Sequence, residues 1–256
     1  MHAAHALLVV GASSKTPFGI YTQLAADHLW AASVNSTPGG VRQFDPIRGA
    51  LPLLSGSVAS GLPAPVAVPG MNNRLGAVCA GGSAGLYANI GAIGNNLTIL
   101  VVYNTLQPAV NPSYYSIIVS GAGPAYAAPG TIAFARSFSP AQIVCFDGVN
   151  FSPGDIYAIP GAASPYPALM LGTQDTVNFT RRINQLTKAT VAHGDGAAHA
   201  TANTLHTHGY SEPAGSGRCS GDHFMELAIF RRVLSDAEAI TLMQDRAAYY
   251  GVTLAG

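Results

Sequence analysis

Apolar residues fall along this chain in short runs of four to eight, most of them bounded by Gly, Pro, Asn or Asp, and this rhythm predicts antiparallel strands. Such runs occupy 74–78, 97–103, 115–119, 131–135, 142–146, 168–171, 176–183, 188–191, 205–208 and 224–230. No helical period longer than the one at the carboxy terminus interrupts them, which excludes a parallel βαβ architecture. The predicted class is all-β: a two-sheet antiparallel sandwich with one short C-terminal helix.

That helix is predicted over 235–250. Ser235 stands three residues before Glu238, the spacing of a capping box, and Gly251 can take the left-handed conformation after the last turn. Ala237, Ile240, Met243 and Ala247 recur at helical spacing, so Ile240 and Met243 are the expected packing contacts. At the other end, residues 1–23 read as an N-terminal arm with an apolar strand-like piece at 7–10, and 24–256 as the domain, with Leu29 and Trp30 in its core. The segment 55–73, dense in proline and glycine, reads as a surface connection. The GASSKT stretch at 11–16 lacks the second glycine of a phosphate loop and is followed by Pro17.

Glu226, Leu227, Phe230, Arg232, Leu234, Ser235 and Glu238 form a Glu-Leu-x-x-Phe-x-Arg-x-Leu-Ser-x-x-Glu series. This ending resembles that of the concanavalin A-like (LamG-like, pentraxin-like) jelly-roll domains found in bacterial surface proteins and phage virion proteins. The likeness extends more weakly to 96–102, to 179–184 with Gln185 at the position of a turn glycine, and to 205–209. It implies that the two-sheet antiparallel sandwich is a jelly roll and leaves function open, because that fold carries many activities.

Charged residues make up only 9% of the 256, Lys plus Arg equals Asp plus Glu at 12 each, and 48% are apolar. A core is therefore easily filled, while no basic patch points to nucleic acid. The run 6–10 is too short and lacks the flanking basic residues of an export signal, and no stretch approaches the ~20 apolar residues of a membrane helix. Cys79, Cys145 and Cys219 are odd in number and read as buried free thiols, with one strand-to-strand disulfide as the alternative.

For chemistry, the three glutamates do not form the alternating pair that a retaining glycosidase needs: Glu238 caps the helix, Glu212 lies beside Pro213, and 224 and 228 carry no acid to match Glu226. No nucleophile elbow marks a serine or cysteine base pair. His193, Asp195, His206 and His208, with His199 nearby, are the candidate metal ligands, His206 and His208 alternating on one expected strand; solvated loop histidines are the alternative. Asp147, Asn150 and Asp155 beside Gly148 and Gly154 offer oxygens to calcium or simply form turns. No cofactor is expected, with calcium or zinc as the open alternatives. Tyr157, Tyr166 and Tyr126, followed by Tyr114 and Tyr115, are the candidates for stacking on a sugar, or else pack as loop anchors.

The expected function is a non-enzymatic virion structural protein, a phage capsid decoration or tail-associated adhesion protein. Its expected partners are other virion proteins and copies of itself, and its expected location is the virion after synthesis in the host cytoplasm. The alternative is a carbohydrate-binding lectin domain with cell-surface glycans as partners, and behind it a glycoside hydrolase.

Overall fold

The computed structural model describes residues 17–34, 43–55, 65–78, 86–92, 96–105, 113–120, 132–138, 141–147, 156–158, 166–192, 202–207 and 223–256. In chain order the strands begin with β1 (His28–Ala31), β2 (Gln43–Phe44), β3 (Leu53–Ser55), β4 (Val66–Val68), β5 (Arg74–Val78) and β6 (Leu86–Ala92). Next come β7 (Leu97–Thr105), β8 (Ser113–Ser120), β9 (Ile132–Phe138), β10 (Ala141–Asp147) and β11 (Ile156–Ala158). The last are β12 (Tyr166–Gln174), β13 (Asn178–Ile183), β14 (Ala189–Ala192), β15 (Ala202–Thr207) and β16 (His223–Phe230). Two α-helices, α1 (Gly19–Gln23) and α2 (Asp236–Tyr250), and two 3-10 turns, Ala32–Val34 and Pro69–Met71, complete the described elements.

All the strand pairings are antiparallel, and they make two sheets of eight strands. The first runs β14-β13-β12-β7-β16-β5-β4 with β1 also on β16; the second runs β11-β10-β9-β8-β15-β6-β3-β2. The all-β class expected from the run lengths is therefore observed.

The first sheet is buried on both faces, which is why β7 reads Leu-Thr-Ile-Leu-Val-Val-Tyr rather than alternating with polar residues. Leu97, Ile99, Val101 and Tyr103 join Trp30, Met170, Leu227 and Ile229 on one face, together with Ala88 and Ile90 from β6 of the second sheet. Leu100 and Val102 join Leu169, Leu171, Ala228 and Phe230 on the other, beneath α1 and α2. Trp30 is in the core as expected, its indole Nε1 donating to the Leu51 carbonyl at 2.8 Å.

A register shift between Phe224 and Glu226, where β16 passes β7, sets the position of the carboxylate. Phe224 lies in the cluster facing the second sheet, whereas Met225 packs in the helix-side cluster and Glu226 bonds there to Tyr21 and Tyr250. A bulge of this kind adds one residue to a strand and breaks strict alternation.

Three expectations change. The helix packs through Ala239, Leu242, Met243, Ala247 and Tyr250, while Ala237 is exposed and Ile240 half-buried; the buried stripe is turned by one residue because Leu242 and Tyr250, not Ile240, meet the sheet. Residues 17–24, assigned largely to the arm, lie in the core: Ile20, Tyr21 and Leu24 are buried between α2 and the first sheet. Residues 1–16, including the strand-like piece at 7–10, are outside the described residues. Within 55–73, expected as a connection, Val66–Val68 forms an edge strand and Met71 is fully buried; proline on either side of β4 suits an edge, where one row of N–H groups has no ladder partner.

Candidate functional site

The only fully buried acid among the described residues is Glu226, and its surroundings decide whether it can act. The Tyr21 hydroxyl donates to Oε1, the Tyr250 hydroxyl donates to Oε2 at 2.8 Å, and Arg246 Nη1 lies 3.4 Å from Oε2. The Arg246 guanidinium also donates to Asp245 and lies 5.2 Å over the Tyr21 ring and 4.8 Å over that of Tyr249. Burial raises the Glu226 pKa, opposed by the Arg246 charge and the two phenol hydrogen bonds. Burial likewise drives both phenols well above their ordinary values, and the neighbouring Glu226 charge adds to this. Every oxygen of Glu226 is occupied and none of the four central residues exceeds 2% exposure, so the cluster binds α1, β16 and α2 together and offers no reacting group to a substrate.

The rest of the family-like series is equally structural. Arg232 donates to both oxygens of Glu238, at 3.0 and 2.8 Å, and to the Leu24 carbonyl at 2.9 Å. Glu238 in turn accepts from the Ser235 amide at 2.8 Å, completing the expected capping box, and its pKa falls to about 2, first through the Arg232 hydrogen bonds. Leu234 is buried and its amide donates to the Thr98 hydroxyl. Asn184 takes a left-handed turn after β13, and its side chain fastens β12 by accepting from the Leu169 amide at 2.7 Å and donating to the Pro167 carbonyl at 2.8 Å.

A second polar group sits where the sheets meet. His28 stacks on Trp30 at 5.5 Å with an interplanar angle of 5°, and its Nε2 is 3.3 Å from Arg231 Nη2, which donates to the Ile90 carbonyl of β6 at 2.9 Å. Burial lowers the His28 pKa and the Arg231 charge lowers it further, while Asp27 opposes both. These contacts join β1, β6 and the corner after β16.

The remaining candidate is the second sheet, whose faces follow from register. Ala88 packs into the core against the first sheet and registers with Leu205, which registers with Val119, which registers with Ile132. The neighbouring row, Tyr87, His206, Ile118, Ala133 and Phe146, crosses five strands side by side and therefore belongs to the opposite face. Farther along the same face Tyr115 registers with Ala135, and Ala135 with Val144. Both described helices pack on the first sheet, so neither covers this face.

The expected site residues are dispersed. His206 lies on that row beside Tyr87. Tyr157 registers with Ile143, which registers with Arg136, on the face shared with Ala88. Tyr166 begins β12 of the first sheet, half-buried against the core. Tyr126, His193, Asp195 and His208 lie outside the described residues, as do Asn150 and Asp155; among the described residues no group of three His, Cys, Asp or Glu could hold a metal. Tyr87 and Phe146 were missed. Period-two alternation carries their signal, but only the strand partners show that they share a row.

No family model matches the chain, and no curated protein matches it. Solved structures do. A Trypanosoma rangeli sialidase in complex with 2,3-difluorosialic acid superposes with a TM-score of 0.60 at 12% identity over 91% of this chain and 34% of its own. The same sialidase with sialic acid gives 0.60 at 10% identity over 94% and 35%. Domain 4 of a GH43 extracellular arabinanase from Geobacillus stearothermophilus, in complex with arabinotriose, gives 0.52 at 12% identity over 86% of this chain and 98% of its own. This chain thus spans about a third of the sialidases and nearly all of the arabinanase domain. At such identities the likeness is one of fold, and the fold is that of parts of carbohydrate-active proteins. This overturns the expectation of a virion structural, capsid-decoration or tail-associated role.

Proposed function

We propose that this chain is a carbohydrate-binding domain of the concanavalin A-like jelly-roll type, with no hydrolase activity of its own. The observation that carries the reading is the row Tyr87, His206, Ile118, Ala133 and Phe146 on the face of the second sheet opposite the core. Aromatic rings stack on the apolar faces of sugars, and imidazole, amide and hydroxyl groups bond their hydroxyls. The arabinanase domain, matched over 98% of its length and solved with arabinotriose, supports the same reading. A non-catalytic role is supported by Glu226, whose carboxylate is sealed among Tyr21, Tyr250 and Arg246 rather than paired with a second acid across a cleft.

The test is a glycan array probed with the labelled intact chain, together with a reducing-sugar assay on the glycans retained. Retention of a defined glycan set without sugar release is expected. A chain that retains no glycan, or one that releases reducing sugar, contradicts the reading.

A further inference from the structure

The eight strands of the second sheet hold two charged residues, Arg136 and Asp147. Register places both on one face. Asp147 pairs with Ile132, in the row that leads through Val119 and Leu205 to Ala88, and Arg136 follows Ile132 by four residues on β9, so it shares that face. The opposite face therefore holds no carboxylate, lysine or arginine among the described strands; it holds Tyr87, Tyr115, Phe146, Asn89, Gln142 and one imidazole, His206.

From this asymmetry we infer that the ligand is an uncharged, linear oligosaccharide lying along β9 between β8 and β10. The inference rests on the carbohydrate-binding reading and names its ligand class. A sialic or uronic acid carries a carboxylate that recognition normally meets with arginine or lysine, and the described strands supply neither on this face. A neutral sugar needs only stacking and hydroxyl hydrogen bonds.

The backbone also sets a direction. On this face β9 contributes Ala133, Ala135 and Ser137, while β8 contributes Tyr115 and Ile118 on one side and β10 contributes Val144 and Phe146 on the other. From Ala133 to Ser137 is four strand steps, about 13 Å, and from β8 to β10 is about 10 Å, dimensions that hold about two to three sugar residues end to end.

The experiment is calorimetric titration of the intact chain with two panels, at low salt and in 0.5 M sodium chloride. One is neutral and linear: arabinose, xylose and glucose with their di-, tri- and tetrasaccharides. The other is acidic: sialyllactose and oligogalacturonates. Affinity that rises from the monosaccharide to the trisaccharide of a neutral series, levels off beyond it and is unaffected by salt is the expected result. Ala135→Trp, placed mid-strand, should weaken that binding at least about tenfold while the melting profile is kept, and Tyr115→Ala should weaken it by about tenfold. Should Ala135→Trp fail to fold, the length series and salt response of the unaltered chain still decide. Binding only to acidic sugars, or binding that salt abolishes, overturns the inference and leaves the carbohydrate-binding reading standing. Binding to neither panel, with no glycan retained on an array, overturns both.

Discussion

At the scale of single residues, the three charged groups nearest the helix behave differently because water reaches them differently. Glu226 is sealed, and burial raises its pKa; a carboxylate so shifted contributes stability that is fully present below its unfolded value of 4.5 and declines as pH rises through its folded one. Arg246 limits that decline by pairing with the ionised form. Replacing Arg246 with Met should therefore lower stability by about 3–5 kcal/mol at pH 7.5 and by clearly less at pH 4.5, where Glu226 can take up a proton. Urea titration at the two pH values reads this, and equal losses at both would show that the pair is not what the arginine supports. Glu238 has the opposite sign. Its pKa is lowered from 4.5 to about 2, so its contribution is present above pH 4.5 and lost as pH falls toward 2. Because this pair is about one-third exposed, solvent screening reduces its weight, and Glu238→Gln should lower stability by less than about 1 kcal/mol at pH 7 while flattening the acid limb between pH 4.5 and 2. Thermal melts across that range test it, and an unchanged acid limb contradicts it.

At the scale of elements, the strength of each local signal determined what could be read in advance. β5 matches its predicted span, β16 begins one residue early, and the Ser235 capping box is present in full, because hydrophobic runs and cap residues act through near neighbours. The buried stripe of α2 was one residue out: the spacing of apolar residues on a short helix allows more than one face, and only the sheet beneath selects Leu242. Leu242→Ala should accordingly destabilise by about 2–5 kcal/mol and Ile240→Ala by well under half of that, measured by chemical denaturation. Equal effects would restore the sequence-based stripe. α1 escaped notice because five residues carry no usable period, and its position is fixed by Tyr21 reaching Glu226, a contact 205 residues away in the chain. The face of Glu226 was equally hidden, since the bulge before it breaks the alternation from which a facing acid would be sought.

At the scale of the whole molecule, the chain divides its labour between two sheets. The first is covered on both faces and carries the buried polar cluster, and the second leaves a face that neither described helix overlies and whose described strands bring no carboxylate, lysine or arginine to it. The all-β class was legible from spacing alone, whereas the candidate face was not, because a row such as Tyr87, His206, Ile118, Ala133 and Phe146 draws its members from five separate strands. Truncation to residue 25 should unfold the domain, since it removes Ile20, Tyr21 and Leu24 from beneath α2; a truncated chain with the parent melting temperature would show that this segment is dispensable. The central claim, that sugar is held on the second sheet and not near the buried acid of the first, is tested most directly by hydrogen–deuterium exchange with and without the best-retained saccharide. The account predicts slowed exchange in β8, β9 and β10 with α2 and β16 unchanged. Protection confined to α1, α2 and β16, or no change anywhere at saturating sugar, would contradict it.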